Sequence, residues 1–221
     1  MVLNEKKTKV MIFNFTDNYQ FTTKLSLNNA NLEIVKKTKL LGVILTDDLK
    51  WDENTNELVR KANSRMELLR KVARFTSSIQ DLRNIYILYV RSILEQSCVV
   101  WHSSLTEENK KDLERVKKSA VKIMLGKKYQ DYESALMLVD LENLNERREN
   151  LCLKFAKKCL QNEKTENLFP LNKNTHNMKT RMTDKFKVKF ANTERLKQSS
   201  IPYMQRLLNN DISKSKPRFP G

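Results

Sequence analysis

The chain has 221 residues, 39% of them hydrophobic, with only three glycines and four prolines; this is enough to bury an ordinary core but too little turn chemistry for a sandwich of short strands. Its 42 lysines and arginines against 26 aspartates and glutamates leave a net charge of +16. A polyanion would offset that excess, so nucleic acid is the first partner class to consider, beside the plainer reading of a lysine-rich solvated surface.

From the N-terminus, apolar and polar residues alternate in short runs at Val10–Phe15, roughly Tyr19–Leu27, Leu32–Val35 and Leu40–Leu45, which predicts strands of a small antiparallel sheet, with Asn28-Asn29 as a tight turn. At Asp52 the period becomes helical. Leu58, Ala62, Met66, Leu69 and Ala73 follow steps of three or four to about Phe75, and Asn54 with Glu57 reads as a capping box. Ser78 with Asp81 announces the next helix, with Leu82, Tyr86, Tyr89 and Ile93 on one face up to Trp101. A third helix starts at Thr106, carries Glu107 and Glu108 in its first turn, buries Leu113, Val116, Ala120 and Ile123, and stops at Gly126. Its exposed face is expected to be basic, through Lys117, Lys118, Lys122, Lys127 and Lys128. A short helix over Tyr132–Leu138 and a longer one from about Asn143 to Leu160 follow. Residues 161–221 hold 13 basic and 5 acidic residues and read as a polar, basic tail with one helix-like stretch, Ile201–Leu208, started by Pro202.

Cys98, Cys152 and Cys159 sit among apolar neighbours in helical segments, which suits small core residues of a reducing compartment. The chain therefore reads as an intracellular protein, of nucleus or cytoplasm. No stretch reaches transmembrane length, and Val10-Met11-Ile12-Phe13 is too short for the apolar region of a signal peptide. Cys98 with His102 and Cys152 with Cys159 share helix faces, but no denser cluster of ligands accompanies either pair, and no metal is expected. Glycines stand only at 42, 126 and 221, so a phosphate loop and a dinucleotide fingerprint are excluded.

Two segments carry a resemblance. Leu3-Asn4-Glu5-Lys6-Lys7-Thr8-Lys9-Val10-Met11-Ile12-Phe13 resembles the motif that follows the catalytic hairpin in reverse transcriptases of jockey-type non-LTR retrotransposons. Lys39-Leu40-Leu41-Gly42-Val43-Ile44-Leu45, with Trp51 behind it, is similar to the primer-grip hairpin of that family. Downstream, Tyr86–Trp101 and Leu113-Glu114-Arg115-Val116-Lys117-Lys118-Ser119-Ala120 with Leu125-Gly126 resemble its thumb. The resemblance implies a C-terminal piece of an RNA-directed DNA polymerase: the end of the palm at residues 1–50, a helical thumb at 52–162 and a basic tail at 163–221.

It further implies that Lys7 protonates the leaving pyrophosphate in the intact enzyme, a role an ammonium can fill because it neutralises phosphate and can yield a proton. The same lysine run also suits a solvated charged turn. Gly42, with Leu41, would bring backbone close to a primer, or would simply bend an apolar strand. The paired carboxylates that hold two magnesium ions in that family are not found in this sequence; Asp47-Asp48 follows the wrong strand, and the resemblance places the true ligands upstream of Met1. The expectation is thus an α+β chain that holds a template-primer duplex through phosphate contacts by Lys117, Lys118, Lys122, Lys127 and Lys128, needs no cofactor of its own, and is inactive alone. The alternative is a domesticated helical module that binds a protein partner through Tyr86, Tyr89 and Trp101.

Overall fold

The structure, a computed structural model, describes residues 4, 7–15, 24–28, 30–76, 78–172 and 185–215. It is mostly helical with a few short strands, an α+β arrangement, and divides into two units, Met1–Arg60 and Lys61–Gly221.

In the first unit six short strands pair two by two. β1 (Lys9–Val10) runs parallel to β4 (Glu33–Ile34), β2 (Ser26–Leu27) antiparallel to β3 (Ala30–Asn31), and β5 (Lys37–Leu40) antiparallel to β6 (Val43–Thr46). One continuous antiparallel sheet is therefore not formed among the described residues. Each apolar run is interrupted by Asn, Lys or Thr after a few positions, so no ladder has a face long enough to recruit a third strand. Val10–Phe15 pairs only through its start, and of the stretch Tyr19–Leu27 residues 19–23 lie outside the described residues. The Leu40–Leu45 strand is split by a two-residue turn. Leu41 and Gly42 have φ of 48° and 88°, the positive pair that primed hairpin turns require.

Leu41 is unusual in that conformation, since its side chain crowds the following carbonyl. It is also 91% exposed. Leu41→Asn, which suits left-handed backbone, should raise stability by about 0.5–1 kcal/mol, measured by urea unfolding; a loss would show that the leucine is held by contacts of its own. After β6, Asp48 Oδ1 accepts from the Thr46 hydroxyl at 2.7 Å and from the Lys50 N–H at 3.0 Å. These bonds, the Thr46 one foremost, lower its pKa. Asp48 thus organises a turn.

α1 (Asp52–Val72) is the long helix expected, with Leu58, Ala62, Met66 and Leu69 buried. The capping box is not there. Asn54 lies inside the first turn, where its Oδ1 accepts from the Ile44 N–H at 3.1 Å and so ties the helix to β6. In the second unit, Ser78 caps α2 (Ile79–Ile85) by accepting from the Asp81 N–H at 3.3 Å. The helix continues through a π segment, Tyr86–Arg91, into α3 (Ser92–Leu94). A π turn takes more residues than an α turn, so steps of four stay on the inner face while steps of three fall off it. Tyr86, Val90 and Leu94 are buried where Tyr86, Tyr89 and Ile93 were expected, and Tyr89 is exposed. α4 (Cys98–Trp101) begins after the left-handed Ser97, and its Trp101 is fully buried with its indole N–H donated to the Gln96 carbonyl at 3.0 Å.

α5 (Glu107–Leu125) is capped by Thr106 and stopped by Gly126, as its sequence predicts. α6 (Tyr132–Leu138) ends in a Schellman motif: the Leu141 N–H donates to Leu136 O at 3.0 Å and the Asp140 N–H to Met137 O at 3.1 Å. α7 (Leu144–Cys159), capped by Asn143, packs against α4 and α5. Beyond it, α8 (Glu194–Lys197) and α9 (Ser200–Ser215) correct the reading of residues 163–221 as a tail. Met204, Leu207 and Leu208 of α9 enclose a core with Cys152, Ala156 and Cys159 of α7 and with Phe169 and Phe186. The intervening chain is held by α9 side chains. The Gln205 amide donates to Leu168 O at 2.9 Å, and Asn209 exchanges two bonds of 3.0 Å with the Phe186 backbone.

All three cysteines are buried and free. Burial pushes the Cys98 thiol up to about 11 and that of Cys152 to about 12, so neither is a reactive thiolate near neutrality. His102 is buried beside Arg148, whose Nε donates to its Nδ1 at 3.4 Å. Burial first, then the charges of Arg148 and Lys110, lower its pKa to about 3. An unfolded His102 binds its proton near pH 6.5, so between pH 6.5 and 3 the unfolded state holds the extra proton and stability falls with acidity. The expected slope is up to about 1.4 kcal/mol per pH unit. His102→Gln should flatten that part of the stability profile; an unchanged slope would show that His102 charges within the fold.

Candidate nucleic-acid interface

The structure sorts the residues singled out by the sequence into three groups. Lys7 is exposed in a turn in which its N–H, with that of Thr8, donates to Asn4 O at 3.1 Å; its neighbours Glu5 and Lys6 lie outside the described residues. Leu41 and Gly42 form the tip of the β5–β6 hairpin. The five lysines of the α5 region belong to the second unit, and they do not share one face.

Lys117 is the exception. Only 1% exposed, it aims inward at the α6–α7 connection, where its ammonium donates to Glu142 O and lies 3.7 Å from Glu114 Oε1. Burial holds its pKa below the usual lysine range. Glu114 also accepts from the Tyr132 hydroxyl and from the Leu144 N–H at 3.1 Å. Lys117 is therefore a core cation that ties α5 to α6 and α7, and it is withdrawn from the phosphate-contact set. The helical period accounts for this, since position 117 is four beyond Leu113 and three before Ala120, both fully buried.

Lys118 and Lys122 are exposed, as are Lys127 and Lys128 in the 3-10 turn Gly126–Lys128. Two further cations complete the row. Lys111, Arg115, Lys118 and Lys122 follow one another at steps of four, three and four, and all are exposed on one side of α5. At 1.5 Å per residue the row from Lys111 to Lys122 spans about 16 Å, roughly five phosphate-to-phosphate steps of one strand measured along a duplex axis. Arg115 pairs with Asp112 at 2.6 Å. Among the described residues, the four lysines of positions 118, 122, 127 and 128 have no carboxylate partner. Tyrosine rings hold two of them in place: the Lys118 ammonium is 5.6 Å from the Tyr132 ring centroid and that of Lys122 is 5.3 Å from that of Tyr129. A cation over a ring keeps its outer hydrogens free, which suits a second ligand.

The partner surface considered for a protein ligand does not exist as expected, because Tyr86 and Trp101 are core residues and only Tyr89 of the three is exposed. Among the described residues no three His, Cys, Asp or Glu side chains gather into a metal site, and no helix is long and apolar enough to cross a membrane. Neither protein-family models, nor curated proteins, nor solved structures yield a match to this chain.

Proposed function

We propose that the chain is a nucleic-acid-binding piece of a non-LTR retrotransposon reverse transcriptase of the jockey type. In this reading Lys118, Lys122, Lys127 and Lys128, with Lys111 and Arg115, contact the phosphates of a template-primer duplex without catalysing nucleotide transfer. The observation that carries it is the exposed cation row of α5, whose ammonium groups lack acidic partners among the described residues. Their neutralisation is then left to a ligand that presents anions in series. The sequence resemblance, carried by segments within about residues 3–160, supplies the family, with Leu41 and Gly42 in a primer-grip hairpin and Lys7 as the proton donor of the whole enzyme.

Such contacts position a duplex and read no bases. Competition on the full chain tests this directly: unlabelled duplexes of unrelated sequence should displace a labelled RNA–DNA hybrid with equal efficiency. Strong preference for one sequence, or failure to bind any duplex at low salt, would refute the reading.

A further inference from the structure

At one end of the lysine row, the last residues of α1, the start of α2 and the end of α5 leave a cleft of about 490 Å³. Ile79, Leu82, Ile123 and Met124 line it as an apolar floor, while Arg74 and Lys128 line it with cations. Phe75 also lines the cleft and is 90% exposed. Local geometry does not require an aromatic there. α1 has ended at Val72, and the Phe75 N–H only closes the last turn on Val72 O at 2.9 Å. A ring left in water forgoes the stabilisation that its burial would bring.

An exposed ring that lines one cleft with two cations and an apolar wall has the features that hold a base and its phosphate: the base stacks, and the cations take the anion. An acidic peptide with a large apolar side chain would meet the same charges. Lys128, however, belongs both to this cleft and to the lysine series of Lys118, Lys122 and Lys127, and a series of cations matches the repeated charge of a polynucleotide better than the isolated acids of a peptide. Resting on the duplex-binding reading above, we infer that this cleft takes an unpaired base from a single-stranded end of the nucleic acid, stacked on Phe75 with its phosphate on Arg74 and Lys128.

The test compares a blunt DNA duplex with the same duplex bearing a single-stranded overhang that contains a fluorescent purine, each titrated with the full chain. The overhang should tighten binding about fivefold or more, the range of one base–aromatic stack, with quenching of the purine. Phe75→Ala should remove that preference and leave blunt-duplex affinity within twofold, and Phe75→Trp should retain it. Because the side chain is exposed, neither variant endangers folding. A preference that survives Phe75→Ala, or equal wild-type affinity for both duplexes, overturns the base site while duplex binding stands. Absent duplex binding together with Phe75-dependent capture of an acidic apolar peptide overturns both and assigns the cleft to a protein ligand.

Discussion

Replacing Lys118, Lys122, Lys127 and Lys128 together by glutamate should abolish measurable duplex binding while leaving the thermal unfolding transition nearly in place. All four side chains are exposed, so the fold loses only the Lys118–Tyr132 and Lys122–Tyr129 contacts, and surface changes of this kind are worth little stability. Binding is another matter. Each neutralised phosphate contributes about 0.9 to the slope of log affinity against log salt, so four contacts contribute about 3.6. Over a fourfold rise in salt these contacts alone account for a loss on the order of 100-fold. Replacement by glutamine removes the contacts without adding repulsion and should reduce the slope by that amount. A quadruple glutamine variant with the wild-type slope would show that the polyanion binds elsewhere.

The neighbouring lysine should behave in the opposite way. Lys117→Ala leaves the Glu142 carbonyl without its donor, removes a cation from beside Glu114, and opens a void where α5 meets α6 and α7. Breaking a buried, hydrogen-bonded charge in this way costs about 3 kcal/mol. Lys118→Ala, one position on, should stay within about 0.5 kcal/mol of wild type. Urea unfolding of the two variants separates them. Below its unfolding range Lys117→Ala should keep the wild-type salt slope, whereas Lys118→Ala should lose close to one contact. Equal stability of the two would contradict the inward orientation of Lys117.

The same pair of residues shows what was legible from sequence. Several helix starts are legible because they carry their own local chemistry: Ser78, Thr106 and Asn143 stand where α2, α5 and α7 begin and cap them, and Gly126 stops α5; the start of α1 is not, because Asn54 bonds to β6 instead of capping. The long stripe of α1 was readable because its period is regular. The register of Lys117 with Leu113 and Ala120 puts it on the buried face, and a lysine there is costly unless buried acceptors receive it; Glu114 stands three positions away on the same helix, but the Glu142 carbonyl lies 25 positions away and has no local signal. The inner face of α2 was displaced by the π segment, a change of pitch that no composition rule marks. The packing of α9 was hidden for another reason. Its core partners Phe169 and Phe186 lie outside any helical or strand period, the first beside Leu168 and Pro170 and the second between two lysines, and their segments are held by Gln205 and Asn209, so their burial depends on long-range bonds and leaves no periodic trace. Lys111 and Arg115 are not singled out by the sequence; the helix itself places them in line with Lys118 and Lys122.

The exposed cations of α5 and of the turn after it are proposed to hold a nucleic-acid backbone. The most direct test of this is a salt titration of the full wild-type chain on a primed RNA–DNA duplex. Affinity should fall linearly on logarithmic axes with a slope of at least about −3.6, the share of the four exposed lysines. A slope near zero, or no binding in dilute buffer, would contradict it.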